Sequence, residues 1–229
     1  MPTALKPIRA LVFDAYGTLF NVHSVMATCE SLFPGNGSAL SHLWRGKQLE
    51  YSWLRSLMGR YVGFSQVTRE SLQFACNSLG LAYSEEIQAR LEQAYRTLAM
   101  FDDALPTLQQ LRRLQPAIKL AILSNGAPAM LNAVVAHNKL NALLDEVLSV
   151  DEVGIFKPDP RVYQLACDRM GFAGNAIGFV SSNGWDAAGA KAFGFTTFWI
   201  NRAKTPLEML GVKPDYVLNS LNELGPLVG

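Results

Sequence analysis

The stretch that most constrains this chain is Ala10 to Phe20, ALVFDAYGTLF. An apolar run, Leu11-Val12-Phe13, stops abruptly at Asp14, and a short turn-prone segment, Ala15-Tyr16-Gly17-Thr18, follows it. A continuous apolar run is the pattern of a parallel strand buried on both faces, and the C-terminal ends of such strands are where open α/β sheets bind ligands. Gly17 lets the backbone bend closely, and Thr18 can cap the next segment or touch a ligand. On this stretch alone Asp14 is either a nucleophile delivered into a crevice or a capping residue at a strand end.

The remainder of the chain supplies the sheet that such a strand needs. With 229 residues, 49% of them hydrophobic, it can bury a sizeable core as one large domain or a domain with an insertion. After Phe20 the hydrophobic period changes from strand to helix, with helices expected over 22–32, 38–60, 68–79 and 84–98. No convincing strand interrupts them, so residues 21–99 read as an all-helical insertion. Its aromatic residues (Trp44, Tyr51, Trp53, Tyr61, Phe64) mark core or an interface. From Pro106 strands and helices alternate: helices over 106–114, 129–137, 160–170 and 187–193, strands over 118–123, 147–150, 177–180 and 196–200, with 216–218 a candidate last strand. The expected fold class is therefore α/β, a Rossmann-like parallel sheet built from residues 1–20 and 100–229 around a helical domain.

Composition removes several classes of function. The net charge is +1, with 20 basic against 19 acidic residues, so there is no footprint for nucleic acid. Cys29, Cys76 and Cys167 lie far apart without a CxxC pair, which fits free thiols in a reducing compartment and no zinc site. The segment MPTALKPIRA has no apolar signal-peptide core, and no run approaches the length of a membrane span. The expectation is a cytoplasmic protein with no membrane partner. His23, His42 and His137 show no ligand spacing and read as surface or structural residues, so no metal site is expected.

Three expected strands end in polar clusters: Asp14, then Ser124-Asn125, then Ser181-Ser182-Asn183 with Asp186. In a parallel sheet all C-terminal ends share one edge, so these clusters converge. Each Ser or Asn taken singly can equally be a helix N-cap. Lys157, beside Pro158, is a further candidate, because a cation next to two carboxylates holds both ionised. Arg45 taken singly reads as a helix-surface cation, and Tyr163 and Trp185 as core aromatics.

The set Asp14-x-x-x-Thr18, Ser124-Asn125, Lys157-Pro158 and Asp186 resembles the haloacid dehalogenase superfamily, with the helical insertion where that superfamily carries its cap domain. Within it, the segments FDAYGTLFNVHS, LWRGKQLEYSWLRSLMGRY, AILSNG, KPDPRVY, SSNGWDAAGAKAFGF and WINR resemble the L-2-haloacid dehalogenase branch. The superfamily's phosphatases carry a second aspartate two residues after the nucleophile and an acidic magnesium ligand after the fourth strand; here those positions are Tyr16 and Ser182, which removes the proton source and much of the metal site.

The resemblance implies hydrolysis of short L-2-haloacids to D-2-hydroxy acids with no cofactor and no metal. Asp14 would displace halide from the α-carbon and form an ester, which water would then hydrolyse. Asp186, with Ser181 and Asn183, would activate that water; Lys157 would keep both carboxylates charged, with Thr18 and Tyr163 in support and Tyr163 also among the substrate-binding residues. Arg45, Asn125 and Trp185 would cradle the departing halide. Ser124 and the backbone around Ala15 and Tyr16 would hold the substrate carboxylate. Tyr16, Leu49, Phe64 and Trp185 would wall the reacting carbon, and the resemblance also implies a homodimer through apolar cap-helix surface. Gly46 departs from the glutamine that close relatives often carry after the arginine, which bears on the shape of the pocket. Three other readings stay open: opening of a strained ring next to a carboxylate, as in azetidine-2-carboxylate; a magnesium-dependent phosphatase; and a non-catalytic binding module. The halogen, including fluoride, is not fixed by these residues.

Overall fold

The structure is a computed structural model that describes residues 8–228. Residues 1–7 and 229, which the sequence assigns to the sheet domain, lie outside the described residues, and the reading of the N-terminal segment falls largely on them. Strand β1 (Ala10–Phe13) is followed by four helices, α1 (Ser24–Leu32), α2 (Gly37–Leu57), α3 (Phe64–Ser78) and α4 (Glu85–Arg96). The alternating part then runs α5 (Ala104–Leu114), β2 (Lys119–Ser124), α6 (Pro128–His137), β3 (Glu146–Ser149), α7 (Pro160–Met170), β4 (Ile177–Ser181), α8 (Gly184–Phe193), β5 (Thr196–Ile200) and β6 (Tyr216–Leu218).

All six strands are parallel, in the order β3-β2-β1-β4-β5-β6. The chain builds one side of the sheet outward from β1, returns, and builds the other side from β4. The crevice at this reversal opens at the C-terminal ends of β1, β2 and β4, and Asp14 follows β1 directly. Pairing of Phe13 with both Ile122 and Val180 brings Ser124 and Ser181 to the same edge.

Every residue of β1 is buried, as a central parallel strand requires. Leu11 and Phe13 face one hydrophobic cluster with α5 and α6, while Ala10 and Val12 face the other with α7. The first cluster continues through Tyr16, Leu19 and Phe20 into Leu40, Trp44, Leu72 and Tyr95 of the helical segment, so helices and sheet share one core.

Three helices start two or more residues earlier than the sequence reading. Helix α3 begins at Phe64 rather than Thr68, because the nearly buried Phe64 ring packs 6.0 Å from that of Phe156 and draws the first turn into the core. Helix α5 begins at Ala104, with Pro106 inside its first turn, where a missing N–H is tolerated. Helix α8 begins at Gly184 rather than Ala187, which puts Trp185 and Asp186 in its first turn. Ser84 does cap α4, accepting the Ile87 N–H.

Candidate active site

Asp14 arrives at the crevice nearly buried, and each of its oxygens has a donor. Oδ2 accepts from the Thr18 hydroxyl (3.0 Å) and the Asn183 amide (2.8 Å), while Oδ1 accepts from Lys157 Nζ at 3.1 Å. The Lys157 ammonium, also buried, reaches Asp186 Oδ2 at 2.8 Å. Asp186 has no solvent exposure and accepts in addition from the Tyr163 hydroxyl (2.9 Å) and the Ser181 hydroxyl (3.2 Å). The loop geometry that allows this includes Gly17, whose φ of +92° lies in the left-handed region.

The array is two carboxylates around one ammonium. Burial disfavours the Lys157 charge, but Asp14 and Asp186 outweigh it and hold its pKa above the ordinary lysine value. Burial, with the Asp14 charge adding to it, pushes Asp186 up to about 6 against the pull of Lys157. Asp186 is thus ionised at neutral pH yet more basic than an ordinary carboxylate, which suits a general base. The Tyr163 hydroxyl is held well above its usual range by burial and by Asp186, so it stays a donor.

Asn183 occupies the N-cap position of α8 but makes no side-chain cap bond. Its amide bridges Asp14 Oδ2 and the Tyr16 carbonyl (3.2 Å) instead. Ser124 likewise caps no helix; its Oγ accepts the Gly126 N–H at 3.0 Å. Gly126 has no room for a side chain, since a Cβ there would lie 2.6 Å from the Tyr16 ring. Asn125 spends its carbonyl oxygen on the Lys157 N–H (2.9 Å), which leaves its NH2 as the group it can offer a ligand.

Helix α2 lowers Arg45 onto this array from the opposite side. Among the described residues Arg45 has no carboxylate partner, only a long contact to Gln48 Oε1 at 3.5 Å. Its neighbours on the same helix are paired, Lys47 with Glu50 at 2.8 Å and Arg55 with Glu70 at 2.5 Å. The Tyr16 hydroxyl is buried and has no hydrogen-bond partner among the described residues, its ring edge-on to Tyr95. A cavity of about 20 Å³ lies between, lined by Asp14, Tyr16, Arg45, Leu49, Phe64, Ser124, Asn125, Lys157, Asn183 and Trp185. That is room for about one water, so a ligand of several atoms must part its walls. A hollow of about 350 Å³ adjoins it, sharing Tyr16, Arg45, Leu49 and Asn183 and reaching Ser182 and Arg202.

Thr18, Ala15, Ser181 and Asp186 do not line the cavity; they lie behind it, and all but Ala15 reach it through hydrogen bonds. Tyr163 corrects the expectation of a substrate-contacting residue: it is fully buried behind Asp186, packed at 5.6 Å against Phe179, and touches the carboxylate rather than the cavity. Gly46 also differs from its reading. It is exposed, and a Cβ there would meet nothing within 4 Å, so it shapes no wall of the pocket. His23, His42 and His137 are exposed. Among the described residues no three His, Cys, Asp or Glu side chains gather as a metal site.

Sequence reasoning gave no role to Gln48 or Arg202, although both lie in segments that carry the resemblance, LWRGKQLEYSWLRSLMGRY and WINR. Gln48, one turn after Arg45 on α2, is fully buried and orients that turn by donating to Thr68 Oγ1 and accepting the Tyr95 hydroxyl. Arg202 lies two residues past β5, at the same sheet edge as Asp14, and that position was the signal available.

The chain resembles known proteins over nearly its whole length. Residues 8–194 match the family model of haloacid dehalogenase-like hydrolases. The chain is 48% identical to an (S)-2-haloacid dehalogenase of Pseudomonas putida over 221 residues, 96% of each chain. It is 50% identical to another from Pseudomonas sp. strain YL, covering 93% of this chain and 91% of that one. Among solved structures, the L-2-haloacid dehalogenase of Xanthobacter autotrophicus with chloropropionic acid covalently bound superposes with a TM-score of 0.90 at 42% identity, covering 96% and 98% of the two chains.

Proposed function

This chain belongs to the haloacid dehalogenase-like hydrolase family, and we propose that it hydrolyses short L-2-haloacids to D-2-hydroxy acids. The observation that carries the reading is Arg45: a cation without a carboxylate partner among the described residues, set across a one-water cavity from a held carboxylate, Asp14. A guanidinium so placed suits a developing anion on a carbon under attack.

The first step is in-line attack by an Asp14 carboxylate oxygen on the α-carbon, forming a C–O bond as the carbon–halogen bond breaks. Oδ1 has one donor and Oδ2 two, so Oδ1 keeps more lone-pair density for the attack. The halide leaves with its electron pair toward Arg45, the Asn125 NH2 and the Trp185 edge, while Ser124 and the backbone N–H of Tyr16 hold the substrate carboxylate. Attack from behind inverts the carbon. Water then adds to the ester carbonyl carbon, Asp14 Cγ, its proton taken by Asp186; the Cγ–O ester bond breaks, Asp14 regains a carboxylate, and the oxygen that Asp14 supplied takes the proton from Asp186 and departs as the hydroxyl of the product. Tyr16, Leu49, Phe64 and Trp185 exclude bulk water.

A phosphatase reading fits poorly. Ser182, where a phosphatase needs an acid, accepts from the Arg202 guanidinium at 2.8 Å, and a further cation would enter beside Arg202 and Lys157. The domain division proposed is a core of 1–20 and 100–229 with a cap of 21–99. A homodimer is supported by the exposed apolar side chains Leu54, Leu57 and Met58 at the end of α2; a monomeric mass in light scattering would overturn it. A reducing, cytoplasmic location fits free Cys29, Cys76 and Cys167, and no described helix is long and apolar enough to cross a membrane.

The test is halide release from L- and D-2-chloropropionate in EDTA, with Asp14→Asn as control. Chloride from the L-enantiomer alone, abolished by the substitution, is the expected result. Silence on both enantiomers would overturn the reading.

A further inference from the structure

The guanidinium of Arg202 has more partners than any other cation near the site. Nε and Nη2 take the two oxygens of Asp103 (3.3 and 2.8 Å), Nη1 donates to Ser182 Oγ (2.8 Å) and lies 3.5 Å from the Gly17 carbonyl, and Nη2 also donates to the Thr18 carbonyl (3.1 Å). Its plane sits 4.1 Å from the centre of the Phe101 ring. Asp103 is itself fixed by the Leu221 N–H (2.9 Å) and the Ser220 hydroxyl (3.1 Å). A fork of fixed geometry making this set is a use of arginine that lysine cannot copy.

The partners belong to three segments with a common bearing on Asp14. Gly17 and Thr18 close the nucleophile loop just before the chain leaves for the helical segment. Phe101 and Asp103 lie just after it returns. The outgoing and returning strands are tied beside one another, by Asn21 N–H to the Ala99 carbonyl (2.8 Å) and Phe101 N–H to the Leu19 carbonyl (3.0 Å). Ser182 follows β4, and its N–H donates to Thr18 Oγ1 at 2.9 Å, the hydroxyl that in turn donates to Asp14 Oδ2.

We infer that Arg202 is a positioning residue: by clasping both crossings of the helical segment and the Thr18–Ser182 pair, it fixes the orientation of the Asp14 carboxylate for attack. It does not line the cavity beside Asp14. It acts through Thr18, so its loss turns the nucleophile without emptying the binding walls, and kcat falls while KM holds. This rests on the dehalogenase reading above.

The test compares wild type, Arg202→Lys and Arg202→Ala, the last with and without added guanidinium, on L-2-chloropropionate, with thermal melting of each. Misplacing a reacting group by about an ångström loses about a hundred-fold in rate, so both variants should lose kcat on that order with KM within about three-fold. Guanidinium should restore part of the rate in Arg202→Ala and none in Arg202→Lys. A folded Arg202→Lys with near wild-type kcat would overturn the inference, as would a folded Arg202→Ala that guanidinium leaves silent. Should Arg202→Ala fail to fold, the split between kcat and KM in Arg202→Lys decides. An inactive wild type would instead overturn the dehalogenase reading, and this inference with it.

Discussion

The two sides of the cavity satisfy their polar atoms very differently. On the sheet side, Asp14, Lys157 and Asp186 have every charge paired, with Thr18, Asn183, Ser181 and Tyr163 supplying further bonds. On the helical side, Arg45 lacks a carboxylate partner among the described residues, and where that side meets the turn after β1 the buried Tyr16 hydroxyl, its ring edge-on to Tyr95, has no hydrogen-bond partner among them. A satisfied buried network holds geometry, whereas an unsatisfied donor waits for a ligand. The sheet side is therefore machinery set in advance, and the helical side is recognition completed by substrate.

The hardest way to break this contrast is Lys157→Met. It strands two buried carboxylates without their cation, so it should cost about 3–5 kcal/mol of stability and abolish turnover together, measured by denaturant unfolding and chloride release. Arg45→Gln should separate what Lys157→Met joins. Activity should drop by about a hundred-fold or more from loss of an anion-stabilising donor, while stability changes by less than about 1 kcal/mol because no ion pair is broken.

Acidity acts on the sheet side alone. Asp186, pushed up to about 6 by burial and by Asp14, is protonated as pH falls through that value and can no longer take a proton. The rate of ester hydrolysis, followed by stopped-flow after rapid alkylation, should therefore fall about ten-fold per pH unit below about 6 and level off above it. The smallest expected effect is Gly46→Gln. With open space around it on an exposed helical position, it should raise stability by about 0.5–1 kcal/mol and leave kcat/KM near wild type.

The same division governs what could be read from the sequence. The sheet side was legible where a polar residue ends or follows a buried strand, since parallel topology brings strand ends together whatever the loops do; Lys157 and Tyr163 do neither, and were read from charge and from resemblance. Asp14, Ser124 and Ser181 needed no more than that. The helical side was legible at Arg45, Leu49 and Phe64 only through resemblance, since a helical period alone does not say which residue faces the sheet. Helix starts were missed at α3 and α8 because tertiary burial of Phe64, and the use of Asn183 for Asp14 rather than for a cap, override local signals. Arg202 was hidden for a third reason: its partners Gly17, Thr18, Asp103 and Ser182 are scattered along the chain and meet only in the fold.

The central claim is that Asp14 attacks carbon and water attacks Asp14. The most direct measurement is a single turnover of L-2-chloropropionate with excess enzyme in heavy-oxygen water, followed by mass analysis of both product and the Asp14 peptide. The heavy oxygen should appear in the Asp14 carboxylate, with the product hydroxyl carrying ordinary oxygen from the side chain. Heavy oxygen in the product and none in Asp14 would mean that water attacks the carbon directly, and would contradict the account.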